Sequence, residues 1–346
     1  LPDGILTNST LQYVRDFMAE ETQILGVVSL PQTAFRKPSS KGSGDTGSGV
    51  KASLLFLRKK KEDEKLLENY SVFMAIAEHI GYDATGRPDK NEFPEILKVY
   101  EEFRKVNRIV LSGGFPLCFA VSFTRLKDGR LDPHYYLPKF DKALNNLKRS
   151  KYPLVELGTL IKEIRYGASV KNIYTDEGIP LLRILNLKPN KIDLSDVVKL
   201  PSDVKNKIGN CYVSEGDLLI SRSGTIGMVA VVPKEANGYT FGSFMIKFRL
   251  VDEVNPFYVS IILNSEPLQQ QIQRKKIGAI QGNITIPAIK SLKIPLPSRK
   301  VQDEIVERFT SKIDEVKQLQ EQAKIITQEA RQELERRIFG EDSRNK

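Results

Sequence analysis

The sequence predicts a mixed α/β protein of the α+β kind that ends in one long helix. Three observations predict this class. Helix-like and strand-like segments alternate at the start of the chain, short strands broken by turns follow from about residue 152, and an unbroken helical pattern closes the sequence. With 346 residues, 40% of them apolar, the chain is long enough for two or three domains with sizeable cores.

The first segment is typical of an open α/β sheet. Residues 11–21 have apolar spacing of a helix, and 92–106 form a second predicted helix with Pro94 in its first turn. Strand-like apolar runs occur at residues 23–30, 50–57, 72–77 and 117–123. The Gly- and Ser-rich stretch over 39–49 predicts a flexible loop. Residues 130–150 are polar and basic and predict a connector that ends in a short helix.

The second segment predicts a globular domain of short strands. Strands are predicted at residues 181–185, with the overlapping run 183–188 also strand-like, and at 217–221, 228–232 and 244–250. One helix is predicted over 256–275. The domain division that follows is an α/β unit over 1–110, a connector over 111–151, a globular domain over 152–300, a spacer or dimerisation helix over 301–340 and a tail over 341–346.

The closing helix is predicted over residues 301–339, which contain no Pro or Gly, and Gly340 ends it. At about 1.5 Å per residue it would span roughly 55–60 Å, a length that suits a coiled coil. Its apolar stripe is the predicted contact with a second copy or a partner's helix and includes Phe309, Ile313, Val316, Ala323, Ala330 and Leu334. The alternative is a single solvated helix held by charged pairs three or four residues apart.

The residue counts exclude several classes of protein. Two cysteines without a CxxC and only two histidines exclude a disulfide framework and Cys/His zinc clusters. No apolar run is long enough to span a bilayer and nothing resembles a signal peptide, so we expect a cytoplasmic protein. The sequence contains no GxSxG, Walker A, GxGxxG or HExxH motif, and therefore predicts no catalytic residue and no metal site.

The remaining signal is nucleic-acid binding, since the formal net charge is +10. Three segments carry side chains that suit DNA. Residues 220–227 place a cation and hydroxyls in a Gly-flanked loop, 274–285 place cations before two amides, and 183–188 carry an Arg and an Asn. The candidate DNA contacts are Arg183, Asn186, Ser221, Arg222, Ser223, Thr225, Lys275, Lys276, Gln281 and Asn283. The alternatives are a plain tight turn, a basic helix end favoured by the dipole and a buried strand face, respectively.

Residues 152–340 resemble the DNA specificity subunit of type I restriction-modification systems. The resemblance rests on Leu157-Gly158-Thr159-Leu160, Gly216-Asp217-Leu218-Leu219-Ile220-Ser221, Ser223-Gly224-Thr225-Ile226-Gly227, Ile286-Pro287-Ala288-Ile289, Ile294-Pro295-Leu296-Pro297, and then Gln302 and Ile305. It implies a target recognition domain followed by a long helix, with double-stranded DNA as a partner. That subunit usually has two such domains and two helices, whereas this sequence contains one of each and no internal repeat. We therefore expect a half-unit that pairs with another copy.

The start of the chain resembles the end of a type I adenine-N6 DNA methyltransferase. The residues that carry this resemblance are LPDGILTNS at 1–9, VSLPQTAF at 28–35 and GVKASLLFL at 49–57. It implies a parent enzyme that uses S-adenosylmethionine, with methyltransferase and restriction subunits as further partners. The sequence contains neither the cofactor glycine loop nor Asn-Pro-Pro-Tyr/Phe, so no cofactor is expected in this chain. The near match Asn255-Pro256-Phe257-Tyr258 is better explained as the start of a helix.

Two other functions stay open on the sequence alone. Because the chain begins with Leu1, we expect a fragment, which makes it a piece of an active methyltransferase or restriction enzyme whose catalytic motifs lie upstream. A non-catalytic RNA-binding or coiled-coil protein is the third hypothesis. The chain lacks an RNP motif and contains no Trp, which disfavours RNA recognition by stacking.

Overall fold

The computed structural model describes residues 1–35, 50–61, 70–106, 116–126, 129–170, 173–276 and 282–340. The predicted Gly/Ser-rich loop, the tail over 341–346 and Gln281 lie outside these ranges. Within them the predicted mixed α/β class is confirmed, and the chain ends in one long helix. None of the helices in the described ranges is long and apolar enough to cross a bilayer.

The N-terminal unit is a four-stranded sheet with helices against both faces. Its elements are α1 (Asp3–Thr7), α2 (Gln12–Glu21), β1 (Thr22–Ser29), β2 (Ser53–Lys59), β3 (Ser71–Ile76), β4 (Ile80–Tyr82), β5 (Pro88–Asn91), α3 (Phe93–Val106) and β6 (Leu117–Ser122). The sheet order is β2-β1-β3-β6; β1 and β3 are parallel and the other pairs antiparallel. The predicted division put β6 in the connector, yet it pairs with β3 along its whole length.

Alternation along the strands gives this sheet two apolar faces. Val27 and Met74 pack on one face together with the connector's Tyr136, whereas Val28 and Phe73 pack on the other with Phe103 of α3. The connector and α3 therefore lie on opposite sides of the sheet.

The connector joins the two units by direct packing. It contains a 3-10 turn over Pro133–Tyr136 and the predicted short helix, α4 (Pro138–Lys148). Leu147 of α4 belongs to the main core of the C-terminal domain. Arg125, just after β6, donates two hydrogen bonds of 2.9 Å to the carboxylate of Asp141 in α4.

The C-terminal domain is built from short strands and, before the closing helix, four short α-helices in the described ranges. Its elements are β7 (Leu154–Glu156), β8 (Ile161–Tyr166), β9 (Ile179–Leu182), β10 (Leu187–Lys188), β11 (Lys191–Ile192), β12 (Val198–Leu200), α5 (Lys205–Ile208), β13 (Leu218–Ser221), β14 (Val229–Val231), β15 (Thr240–Phe241), β16 (Met245–Leu250), α6 (Pro256–Leu263), α7 (Glu266–Arg274), α8 (Ile286–Lys290) and β17 (Lys293–Pro295). The described ranges of the domain also contain four 3-10 turns, at Leu157–Leu160, Ile184–Asn186, Ser202–Val204 and Lys234–Ala236. Strands β14-β13-β16-β8 form an antiparallel sheet, β12-β9-β15 form a second sheet, and β17 pairs with β7.

The predicted strands at 217–221, 228–232 and 244–250 are confirmed as β13, β14 and β16. Two predictions for this domain are wrong. Residues 183–188 are not a strand, because a 3-10 turn over Ile184–Asn186 separates β9 from β10. The predicted single helix over 256–275 is two helices, α6 and α7, with a break at Asn264. The reason is Pro267, which has no N–H with which to continue α6 and lies in the first turn of α7. Asn255 does cap α6, as expected, by accepting from the N–H groups of Phe257 and Tyr258.

Within the described ranges, the closing helix, α9 (Arg299–Phe339), packs against the rest of the protein at its start alone. Gln302 is buried; its Nε2 donates to the Pro297 carbonyl and its Oε1 accepts from the Asn255 N–H, at 2.9 and 2.8 Å. Ile305 and Val306 pack against the domain core, and Phe309 is half-buried. Beyond Phe309 the apolar side chains of α9 are exposed.

Candidate nucleic-acid interface

The loop between β13 and β14 is a closed turn built on two glycines. Gly224 and Gly227 have φ of +73° and +95°, values that favour glycine. The buried Ser221 hydroxyl donates to the Thr225 carbonyl at 2.5 Å and accepts from the Met228 N–H at 2.9 Å. Ser221 therefore shapes the loop, and of the loop's predicted contacts Thr225 is exposed.

The structure brings the three predicted segments together at this loop. The backbone of Arg222 is held from both sides, since its N–H donates to the Phe244 carbonyl at 2.8 Å and its carbonyl accepts from the Ile284 N–H at 3.0 Å. The hydroxyl of Ser223 donates to the Oδ1 of Asn283. A Cβ placed on Gly224 would lie 3.6 Å from Cδ1 of Ile184, in the third segment.

The side chain of Arg222 is held by an aromatic ring and not by an acid. Its guanidinium carbon lies 4.6 Å from the centroid of Tyr166. Within the described ranges it makes no ion pair, and its Nε is buried without a hydrogen-bond partner. Tyr166 in turn accepts a hydrogen bond from the Ile286 N–H at 3.3 Å. No sequence pattern singled out Tyr166 or Phe244, and Phe244 is 49% exposed beside the loop.

Arg183 and Asn186 stabilise their own turn. Arg183 Nη2 donates to Asp196, at 2.7 Å to Oδ2 and 3.0 Å to the carbonyl. Asn186 is 3% exposed; its Oδ1 accepts from the Arg183 N–H, and its Nδ2 donates to the carbonyls of Asp193 and Asp196. As DNA contacts these two residues stay predictions, since the Asn186 amide and the Arg183 Nη2 are already occupied, whereas the Arg183 Nε has no partner in the described ranges.

The basic end of α7 lies against the connector. Lys275 and Lys276 are half-buried, and burial followed by the charge of Arg274 lowers the pKa of Lys275. The Lys276 carbonyl accepts from Arg130 Nη1 at 2.9 Å. The side chain of Lys276 packs against Gly282, since a Cβ on Gly282 would overlap the Cε of Lys276. Gly282 immediately precedes Asn283, which contacts Ser223 of the β13–β14 loop.

Residues 150–327 match the family model described as type I restriction modification DNA specificity domain. The chain is 27% identical over 169 residues to the type I restriction enzyme MjaVIII specificity subunit of Methanocaldococcus jannaschii, covering 46% of this chain and 39% of that protein. It is 26% identical over 189 residues to the StySPI specificity subunit of Salmonella potsdam, covering 52% and 40%. The crystal structure of the S subunit from M. genitalium is 17% identical, with a TM-score of 0.38, covering 56% of this chain and 47% of that one. The chain thus spans about two fifths of the length of these curated relatives.

Proposed function

Because this chain belongs to the family of type I restriction-modification DNA specificity domains, we propose that its domain over 152–300 recognises a sequence in double-stranded DNA. The observation that carries the proposal is the guanidinium of Arg222, which lies on a backbone clamped at both sides and has no acidic partner in the described ranges. An arginine fork of this kind pairs with O6 and N7 of guanine in the major groove.

The loop residues divide into two roles under this proposal. Arg222 contacts a base and the exposed Thr225 contacts a base or phosphate, whereas Ser221, Ser223 and Asn283 hold the loop in shape through their mutual and backbone hydrogen bonds. Lys275 and Lys276 contribute to phosphate binding, which is independent of sequence and weakens with salt.

Arg222→Ala is expected to cost about 1–3 kcal/mol of discrimination at one base pair, because the bidentate contact to guanine is lost. The measurement is selection of binding sites from randomised duplexes, followed by fluorescence anisotropy with the selected site. The matched control is Arg222→Lys, which keeps the charge but not the fork, and should lose base preference while keeping its salt dependence. A selection profile identical in wild type and Arg222→Ala would reduce the loop to a turn.

We further propose that the N-terminal unit is the end of an adenine-N6 DNA methyltransferase domain, and that the protein assembles with methyltransferase and restriction subunits. Support comes from the three sequence runs at 1–9, 28–35 and 49–57, and from the parallel pairing of β1 with β3 in a sheet covered on both faces. Open α/β sheets of this kind contain parallel strands buried by helices.

This chain by itself is expected neither to methylate DNA nor to bind S-adenosylmethionine, because the cofactor glycine loop and the Asn-Pro-Pro-Tyr/Phe tetrapeptide are absent from the sequence. Calorimetric titration with the cofactor measures this directly, with a complete adenine methyltransferase as the positive control. Micromolar binding to this chain would contradict the assignment of the N-terminal unit to a part of the enzyme without cofactor contacts.

A further inference from the structure

A cavity of about 320 Å³ lies where the N-terminal unit, the connector and α7 meet. We name it the junction cleft. Five of its lining side chains are cationic, namely Lys51, Arg130, Lys139, Arg274 and Lys276. Two carboxylates, Asp3 and Asp132, also line it, as does His134.

The two carboxylates offset only part of the charge of these five cations. Asp132 is used by Arg130, whose Nε and Nη2 donate to it at 2.6 and 2.9 Å. Lys51, Lys139 and Lys276 make no ion pair within the part of the chain that the structure describes. An excess of positive charge therefore surrounds the junction cleft.

Two of the cations contact the same aromatic ring. The guanidinium carbons of Arg130 and Arg274 lie 4.9 and 4.6 Å from the centroid of the same ring, that of Tyr135. Arg274 has one acidic neighbour, Asp141, at 3.8 Å, and its Nε is buried without a partner in the described ranges. Such an arrangement is stabilised by an anion that accepts from several donors at once.

The titration of nearby groups agrees with this charge excess. Burial, and after it the charges of Lys51, Arg130, Lys139 and Lys276, lower the pKa of His134 to about 4. Burial also lowers the pKa of Lys51, with opposing contributions from Asp3 and Asp132. At neutral pH His134 is uncharged, so it neither adds to nor cancels the positive charge.

We propose that the junction cleft binds a phosphate group, and that this phosphate belongs to the backbone of the DNA whose sequence the Arg222 loop reads. The second part rests on the proposed function. A short chain of contacts links the cleft to the loop, because the side chain of Lys276 packs on Gly282, whose neighbour Asn283 is hydrogen-bonded to Ser223. Under this proposal the backbone of a duplex seated on the loop reaches the cleft. Because the lining comes from both units and the connector, one phosphate would hold them together.

The test uses Lys51→Ala and Lys139→Ala in the full chain, with Lys98→Ala as the matched control. Lys98 is an exposed lysine of α3, on the opposite face of the sheet from the connector. Binding of the selected duplex and of an unrelated duplex is measured by fluorescence anisotropy over a range of salt concentrations. Each cleft variant should bind both duplexes about tenfold more weakly and with a salt slope smaller by about 0.9. Lys98→Ala should match the wild type.

Calorimetry with inorganic phosphate, on wild type and Lys51→Ala, separates DNA from a free phosphate as the occupant. If the wild type binds duplex and both cleft variants behave as Lys98→Ala does, the inference is overturned while the proposed function stands. Phosphate binding that depends on Lys51, in a chain that binds no duplex, would overturn the DNA assignment together with the proposed function. Because Lys139 is exposed, its variant keeps the test valid even if Lys51→Ala does not fold.

Discussion

Replacing Asp217 by alanine is expected to destabilise the protein by about 3–5 kcal/mol, the cost of removing one partner from a buried ion pair. Asp217 has no exposed surface. Its carboxylate accepts from Arg249 Nε at 2.7 Å and from the Ser214 N–H at 2.8 Å, and lies 3.3 Å from Lys247 Nζ. In the alanine variant the buried Lys247 Nζ keeps one acidic neighbour in the described ranges, the Oε1 of Glu163, at 3.5 Å.

The measurement is urea unfolding followed by circular dichroism. Asp252→Ala is the matched control, because Asp252 also forms an ion pair, with Lys162, but is 89% exposed and should contribute little. The loss of unfolding free energy for Asp217→Asn should lie between those of Asp217→Ala and Asp252→Ala, since the amide keeps the shape of the carboxylate but not its charge. A loss below about 1 kcal/mol for Asp217→Ala would contradict the structural role of the cluster.

The consequence for recognition follows from where Asp217 lies. It immediately precedes β13, the strand that leads into Arg222, and Lys247 and Arg249 belong to the neighbouring strand β16. The acidic residue in the run Gly216-Asp217-Leu218 thus links two strands of the sheet that supports the loop. The acidic residue of this run therefore has a structural role, which the sequence pattern alone does not reveal.

We propose that α9 pairs with the same helix of a second copy, so Ile313→Asp and Leu334→Asp are each expected to give monomers at tens of micromolar. In the described ranges nothing covers α9 beyond Phe309, and Ile313 and Leu334 are 40% and 57% exposed. Phe309, Ile313, Val316, Ala323, Ala330 and Leu334 recur at intervals of three, four or seven residues, the spacing of a coiled-coil seam. A carboxylate in that seam would be desolvated without a partner on the other helix.

Light scattering coupled to size-exclusion chromatography measures the molar mass of the wild type and of each variant in solution. Gln318→Asp is the matched control, because it adds the same charge on the outer face of α9 and should leave the dimer intact. A wild-type mass of one chain, unchanged in both seam variants, would mean a solvated helix supported by intrahelical pairs such as Lys312–Glu315 and Arg337–Glu333.

An antiparallel pair of α9 helices would place two recognition domains at opposite ends. The 41 residues of α9 span roughly 60 Å at about 1.5 Å per residue. The two domains would then read the halves of a divided DNA site, with the helix length as the spacer between them.

The residues alone predict the mixed α/β class, the strands β13, β14 and β16 and the long helix with its end at Gly340. These features depend on local patterns, that is, on the period of apolar residues, on Pro and Gly and on capping groups. The residues also indicate the loop over 220–227, because a cation that follows a strand and precedes two glycines is visible in the sequence. The break between α6 and α7 was missed although Pro267 marks it, since the apolar pattern continues across it.

Which of the predicted residues contact one another depends on the three-dimensional fold. Ser223 and Asn283 are 60 positions apart, and Arg222 packs on Tyr166, a residue with no pattern to single it out. The junction cleft is likewise assembled by the fold, because Lys51, Arg130 and Lys276 come from three segments far apart in the sequence. Periodicity records which face of one element is buried, but the contacts between elements depend on strand order and helix packing, and no local pattern encodes those.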